Sequence, residues 1–382
     1  MKQARTARPI GESSPESSPK PALGPNPLQA LMAGKLPGQE ATCRFFEGFI
    51  AGDVSDVAMG AFLAALAALG EGQPQLAGAA QAMRAAMVNV PLPEALRQNA
   101  LDVCGTGGDG LGTLNVSTAT AFVLAALGVP VAKHGGRAQS SRSGSTDVLG
   151  ALGVVEDPTP HAMAQRLASQ GLLFMAAPRH HGAMKRAAGL RRALGVRTLL
   201  NLVGPLCNPA RVGRQMLGVC DQRWLQPMAE TLLAQGACSV GVLCGQTDEG
   251  PLDEATLAGP TTLVLAQRGP DGVPTTTTCT IRPEMAGLAP APVAAVRGGD
   301  TQHNAMALQA FLKGLKGSYR DTVLLNAALG LHVAGRGNIL ASGHVVPEAL
   351  KRNVALAAQA VDSGKAYGAL KAARAIGPAG TV

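Results

Sequence analysis

Aromatic side chains are scarce in this chain: one Trp, two Tyr and seven Phe among 382 residues. That excludes an aromatic stacking platform for single-stranded nucleic acid. Charge is thin as well, at 15% Asp, Glu, Lys and Arg, and no block of about five or six like charges forms a tail. No apolar run reaches the roughly 18–20 residues of a membrane span. The longest, Ala61 to Leu69 and Ala119 to Leu127, fall well short. The seven cysteines, at positions 43, 104, 207, 220, 238, 244 and 279, are odd in number and show no zinc-ligand spacing. Cys104, Cys220, Cys238 and Cys244 lie in or beside apolar runs, as small buried hydrophobes do. A reducing cytoplasm suits them, and no charged-then-apolar signal segment is expected.

What is present points to a globular protein. Apolar residues make up 46% of the chain and mean hydropathy is +0.15, which excludes disorder throughout. The length accommodates two domains. Residues 1–26, with Pro9, Pro15, Pro19, Pro21 and Pro25 among Ser, Glu and Lys, read as a disordered leader. Residues 27–93 show helical spacing in four short helices, the third capped by Asp53-Val-Ser-Asp56. From 94 to 382 short apolar strands alternate with helices, which gives an α/β domain around a central, largely parallel sheet. The strands expected are Ala100–Cys104, Val129–Ala132, Leu172–Met175, Met216–Val219, Ser239–Leu243 and Thr262–Leu265. From Arg320 onward the chain reads as helical. The net charge of +8 favours anionic partners.

Forty-eight glycines are unevenly used. Gly105-Thr-Gly-Gly-Asp-Gly110 follows a strand and spells G-x-G-x-x-G, the pattern of a dinucleotide loop. Such a loop needs an acid about 20 residues on, and the next acid after Asp109 is Asp147. The dinucleotide reading therefore fails. Asn115-Val-Ser-Thr118 stands at a helix start, where free N–H groups and hydroxyls suit an anion. Lys133-His-Gly-Gly-Arg137 follows the next strand, and Ser140, Ser141, Arg142, Ser143 and Ser145 enter another helix start. Each junction alone reads as a capped helix with turn glycines. Side by side at the carboxyl ends of one sheet, the two can bind two separate phosphate groups.

With Arg197-Thr198, Gly204-Pro-Leu-Cys-Asn-Pro209 and Asp253-Glu254, these strings resemble the anthranilate phosphoribosyltransferase family. The motifs run in matching order from about Leu28 to Ala373, leaving out only the leader. The resemblance implies the two-domain fold shared with pyrimidine nucleoside phosphorylases (class III-like). It also implies transfer of phosphoribosyl from phosphoribosyl pyrophosphate to the amine of anthranilate, in tryptophan biosynthesis. Carried over by motif, it places Gly105, Gly108, Asp109, Thr113, Asn115, Val116, Ser117 and Thr118 around pyrophosphate and ribose. Lys133, His134, Gly135, Gly136, Arg137, Ala138, Gln139, Ser140, Ser141 and Ser145 complete the phosphate sites. Ser117, Asp253 and Glu254 correspond to magnesium ligands, and Mg²⁺ does favour hard oxygens. Gly105, Gly136, His181 and Arg191 correspond to the anthranilate side, where a guanidinium fork matches a carboxylate.

Departing pyrophosphate leaves positive charge on the anomeric carbon, and Lys133 and Arg137 are the nearest cations to the leaving group. No strong general base is needed, since an aryl amine is neutral at pH 7. His134 is read as a wall of the site. Gly136 departs from the family's usual Lys-His-Gly-Asn-Arg and removes a side chain worth about 1 kcal/mol as one hydrogen bond. That departure keeps a second acceptor, another aromatic amine or acid, in view. A non-catalytic nucleic-acid-binding relative would suit the charge but would have lost the loop and the acidic pair. The resemblance further implies a homodimer through the helical subdomain, a segment of about 186–212 returning to it, and a hinged cleft between the two parts. Neither nucleic acid nor membrane is expected as a partner.

Overall fold

The computed structural model describes residues 27–136, 143–182, 185–269 and 271–375. The leader, 1–26, lies outside them. Helices α1 (Pro27–Met32), α2 (Gln39–Ala51), α3 (Asp56–Leu69) and α4 (Gln73–Ala86) form the opening bundle. The Ser55 side chain accepts the Ala58 N–H and so caps α3, while Gly52 in left-handed conformation ends α2. Phe46, Phe49, Phe62 and Leu63 are fully buried at its centre, each worth about 1.5–3 kcal/mol of burial.

Helix α5 (Glu94–Asn99) leads into β1 (Leu101–Gly105), α6 (Val116–Ala126), β2 (Val131–Gly135), α7 (Ser145–Ala151), α8 (Pro160–Gln170) and β3 (Leu172–Ala176). Then come α9 (Ala177–His180), α10 (Lys185–Leu194), α11 (Leu200–Val203), β4 (Arg214–Gly218), α12 (Leu225–Ala234) and β5 (Ser239–Thr247). Strands β6 (Gly250–Leu252), β7 (Thr261–Arg268) and β8 (Pro274–Ile281) follow. The chain closes with α13 (Thr301–Leu312), α14 (Ser318–Val333), the small pair β9 (Leu340–Ala341) and β10 (His344–Val345), α15 (Pro347–Asp362) and α16 (Lys365–Arg374).

The main sheet runs β3-β2-β1-β4-β5-β7-β8, with β6 beside β5. Pairing is parallel from β3 through β5 and antiparallel from β5 through β7 and β8. Parallel pairing needs a crossover of a dozen or more residues; the short link from β7 to β8 permits only a hairpin. β8 escapes sequence reading because its threonines, Thr275 to Thr278, carry no apolar alternation. Helix α14 is buried along almost its whole length behind the sheet, with Phe122 and Leu124 of α6 against the same core.

Chain order reverses between β1 and β4, and the crevice beyond their carboxyl ends is where open α/β sheets bind ligands. The bundle reaches it because the chain doubles back. Leu190 and Leu194 of α10 lie against Gly60 of α3, and Arg186 donates to the carbonyls of Phe49 and Val54 and pairs with Asp56 at 2.6 Å. Among the described residues no helix is long and apolar enough to cross a membrane.

Candidate active site

The glycine loop leaves β1 at Gly105. Gly107 and Gly108 hold φ values of +66° and +80°, a left-handed path that side chains resist. The Gly107 N–H donates to Asp253 Oδ2 at 2.7 Å. Arg197 Nη1 donates to the carbonyls of Gly107 and Gly108 at 2.9 and 2.7 Å. Asp109 turns back on the loop and accepts the Leu111 N–H at 3.0 Å. Gly105 and Gly218 flank Asp253 on neighbouring strands so closely that an added Cβ would stand 2.2 Å from Asp253 Oδ2 and 1.6 Å from the Asp253 carbonyl oxygen. At Gly218 the obstacle is backbone; at Gly105 a side chain would drive the Asp253 carboxylate from its place.

The acidic pair follows β6 and reaches two strand ends at once. Glu254 Oε1 accepts the Ser117 N–H at 3.0 Å, at the start of α6. Lys133 Nζ, from the middle of β2, donates to Ser117 Oγ at 3.1 Å and to the Val103 carbonyl at 2.5 Å. Burial, then the neighbouring Asp109, pushes the Asp253 carboxyl up; burial, then Asp253, does the same to Glu254. Two carboxylates beside a serine hydroxyl form a hard-oxygen donor set. They fit Mg²⁺, which keeps waters and phosphate oxygens in its shell.

The other predicted donor residues are spread around this centre. Thr113 makes a β-bridge to Arg297. Asn115 precedes α6 without capping it; its side chain accepts from Asn304 at 3.1 Å and its carbonyl accepts from Tyr319. Val116 and Thr118 are buried, so Val116 offers only backbone, and that N–H donates to the Leu114 carbonyl. An added Cβ on Gly135 would meet Ser145 Oγ at 2.2 Å, and Ser145 donates to the Gly136 carbonyl at 3.3 Å. Arg137, Ala138, Gln139, Ser140 and Ser141 lie outside the described residues.

The rings of His134, expected as a wall of the site, and His181, expected on the acceptor side, lie 5.1 Å apart. Burial drives His134 well below the ordinary imidazole range, and burial and then His180 lower His181 to about 4. Both rings are therefore neutral. Their Nε2 atoms, and Nε of half-buried Arg191, find no hydrogen-bond partner among the described residues. Among the described residues nothing lies within 4 Å of a Cβ added at Gly136.

Sequence reasoning missed Asp102, fully buried on β1. It accepts the His134 N–H at 3.1 Å and the Asn208 side-chain amide at 2.8 Å, and burial raises its carboxyl to about 6. An acid inside an apolar strand was the available signal. A cleft of about 280 Å³ opens between bundle and sheet, lined among others by Glu71, Asp109, Arg197, Thr198 and Trp224.

Residues 97–367 match the α/β domain of a glycosyl transferase family, and residues 26–87 match its helical bundle domain. An anthranilate phosphoribosyltransferase from Gluconobacter oxydans is 53% identical over 91% of this chain and 93% of that relative. The chain belongs to the anthranilate phosphoribosyltransferase family. A crystal structure of a family member from Thermus thermophilus is 38% identical, with a TM-score of 0.78 over 92% of this chain and all (100%) of that one. The anthranilate phosphoribosyltransferase of Saccharomyces cerevisiae, solved in complex with PRPP and Mg, shares the fold at a TM-score of 0.76 and 24% identity, over 91% of this chain and 95% of that one. The family's helical and α/β parts are thus both present.

Proposed function

We propose that the chain transfers the phosphoribosyl group of phosphoribosyl pyrophosphate to the amine of anthranilate, releasing pyrophosphate. One observation carries the reading: Gly107 meets Asp253, Ser117 meets Glu254, and Lys133 meets Ser117, at the strand ends where chain order reverses. Loop amides and a buried ammonium there receive the phosphate oxygens. Ser117, Asp253 and Glu254 would hold Mg²⁺, which supplies charge neutralisation of the leaving pyrophosphate. Lys133, and Arg137 by motif, stabilise the same leaving charge. Neutral His134 walls the site and neutral His181 lines the acceptor side, neither taking a proton, and Arg191 pairs with the acceptor carboxylate. The chemistry then rests on holding two substrates in line.

The helical unit is read as 27–93 with a segment of about 186–212, and the donor-binding unit as 94–382. Exposed Met32 and Val57 on the bundle support pairing of two copies through it, and seven free thiols suit a reducing cytoplasm. The test is incubation with phosphoribosyl pyrophosphate, Mg²⁺ and anthranilate while anthranilate fluorescence is followed. It should fall only when all three are present; steady fluorescence would refute the reading. A second acceptor, another aromatic amine or acid, follows from the missing side chain at Gly136, and would turn over in place of anthranilate.

A further inference from the structure

We propose that Arg197 is a positioning residue that sets the glycine loop to receive the donor's pyrophosphate, acting through the loop and not through the substrate. The inference rests on the phosphoribosyl-transfer reading. Arg197 has a fixed base: the next residue, Thr198, donates its N–H to Asn201 Oδ1 at 3.0 Å, and Leu199 and Leu200 behind it are buried. From this base one guanidinium nitrogen reaches two successive carbonyls, those of Gly107 and Gly108. In a trans peptide the C=O and the following N–H point opposite ways. Drawing both carbonyls toward Arg197 therefore turns the N–H groups of Gly108 and Asp109 together to the other side. Two successive amides so aligned form an anion-binding nest.

A side chain at Gly108 would be strained by its φ of +80° and would displace Arg197. An added Cβ on Gly108 would stand 1.8 Å from Arg197 Nη1, so glycine and arginine are matched as a pair. On the other edge Asp253 takes the Gly107 N–H, leaving the loop held from both sides. Arg197 also stands on the segment just after α10, which carries Arg191, and the two guanidiniums feel each other's charge. Donor loop and acceptor helix thus share one support.

The test uses the full chain with R197A and R197K. Binding of inorganic pyrophosphate with Mg²⁺ is measured by calorimetry, and hydrogen exchange of the Gly108 and Asp109 amides is followed in the free protein. R197A should weaken pyrophosphate binding by about tenfold, as expected for lost hydrogen bonds from a charged donor. It should also speed exchange of both amides and raise KM for the donor with kcat little changed. R197K, whose ammonium can still donate to both carbonyls, should recover part of each effect. Unchanged affinity would overturn the proposal. So would weakened binding with unchanged exchange, which would mean that Arg197 touches the anion itself. Neither the calorimetry nor the exchange involves an acceptor, so failure of the transfer reading would show separately, as a wild-type protein that binds pyrophosphate yet consumes no anthranilate.

Discussion

Glu254 Oε1 accepts the backbone N–H of Ser117 at 3.0 Å, joining residues 137 positions apart in the chain. The contact places an acid from the β6–β7 link against the N-terminus of α6, with Asp253 beside it accepting from the glycine loop. The pair is built into the strand ends, and its substitution should be read in those terms.

Replacing Asp253 and Glu254 together by Ala should abolish Mg²⁺-dependent turnover while the fold persists, checked by titrating Mg²⁺ against rate and recording a thermal melt. An unchanged rate would refute the metal assignment.

G218A perturbs the same acid from behind. Its Cβ would meet the Asp253 carbonyl oxygen at 1.6 Å, and backbone must move to admit it. Stability should fall by about 1–3 kcal/mol as for other overpacked sites, with a larger proportional loss of activity. Denaturant melts and donor kinetics measure both.

D102N should destabilise the protein although it is nearly isosteric. Both carboxylate oxygens of Asp102 accept, one from His134 and one from Asn208; an amide can serve only one and opposes the other. The expected loss is about 1–3 kcal/mol, read from urea melts at pH 7.

How much of this was legible in the sequence follows from where the signal lay. β1, α6 and β2 could be placed because apolar runs stop at glycines and hydroxyl residues. The junctions they form gave Gly105, Ser117 and Lys133. β8 could not be placed: it is an edge strand of exposed threonines held by pairing with β7, and pairing leaves no periodic mark. Asp102 was read past as one polar residue in a strand, because its partners, His134 and Asn208, are distant in sequence. Arg197 was visible only as part of a motif; its role depends on reaching a loop some 90 residues earlier.

Acid should destabilise the protein through His181. Its folded-state value of about 4 lies below the ordinary 6.5, so between these values the unfolded chain binds more protons than the folded one. Stability then rises with pH across that window and is lost as pH falls from about 6.5 to 4. Thermal melts across the window should show a shallower pH slope for H181Q than for the wild type.

G136N should tighten the acceptor if the acceptor is anthranilate. Among the described residues nothing crowds the added Cβ, and one hydrogen bond is worth about 1 kcal/mol, which corresponds to a several-fold lower KM for anthranilate. KM for the donor should not move. Steady-state kinetics with each substrate varied in turn separate the two.

The most direct measurement counts both products of one turnover. Purified protein with phosphoribosyl pyrophosphate, Mg²⁺ and anthranilate should release one pyrophosphate for each anthranilate consumed, with no release when anthranilate is omitted. Pyrophosphate release that ignores anthranilate, or anthranilate left untouched while the donor binds, would contradict the assignment.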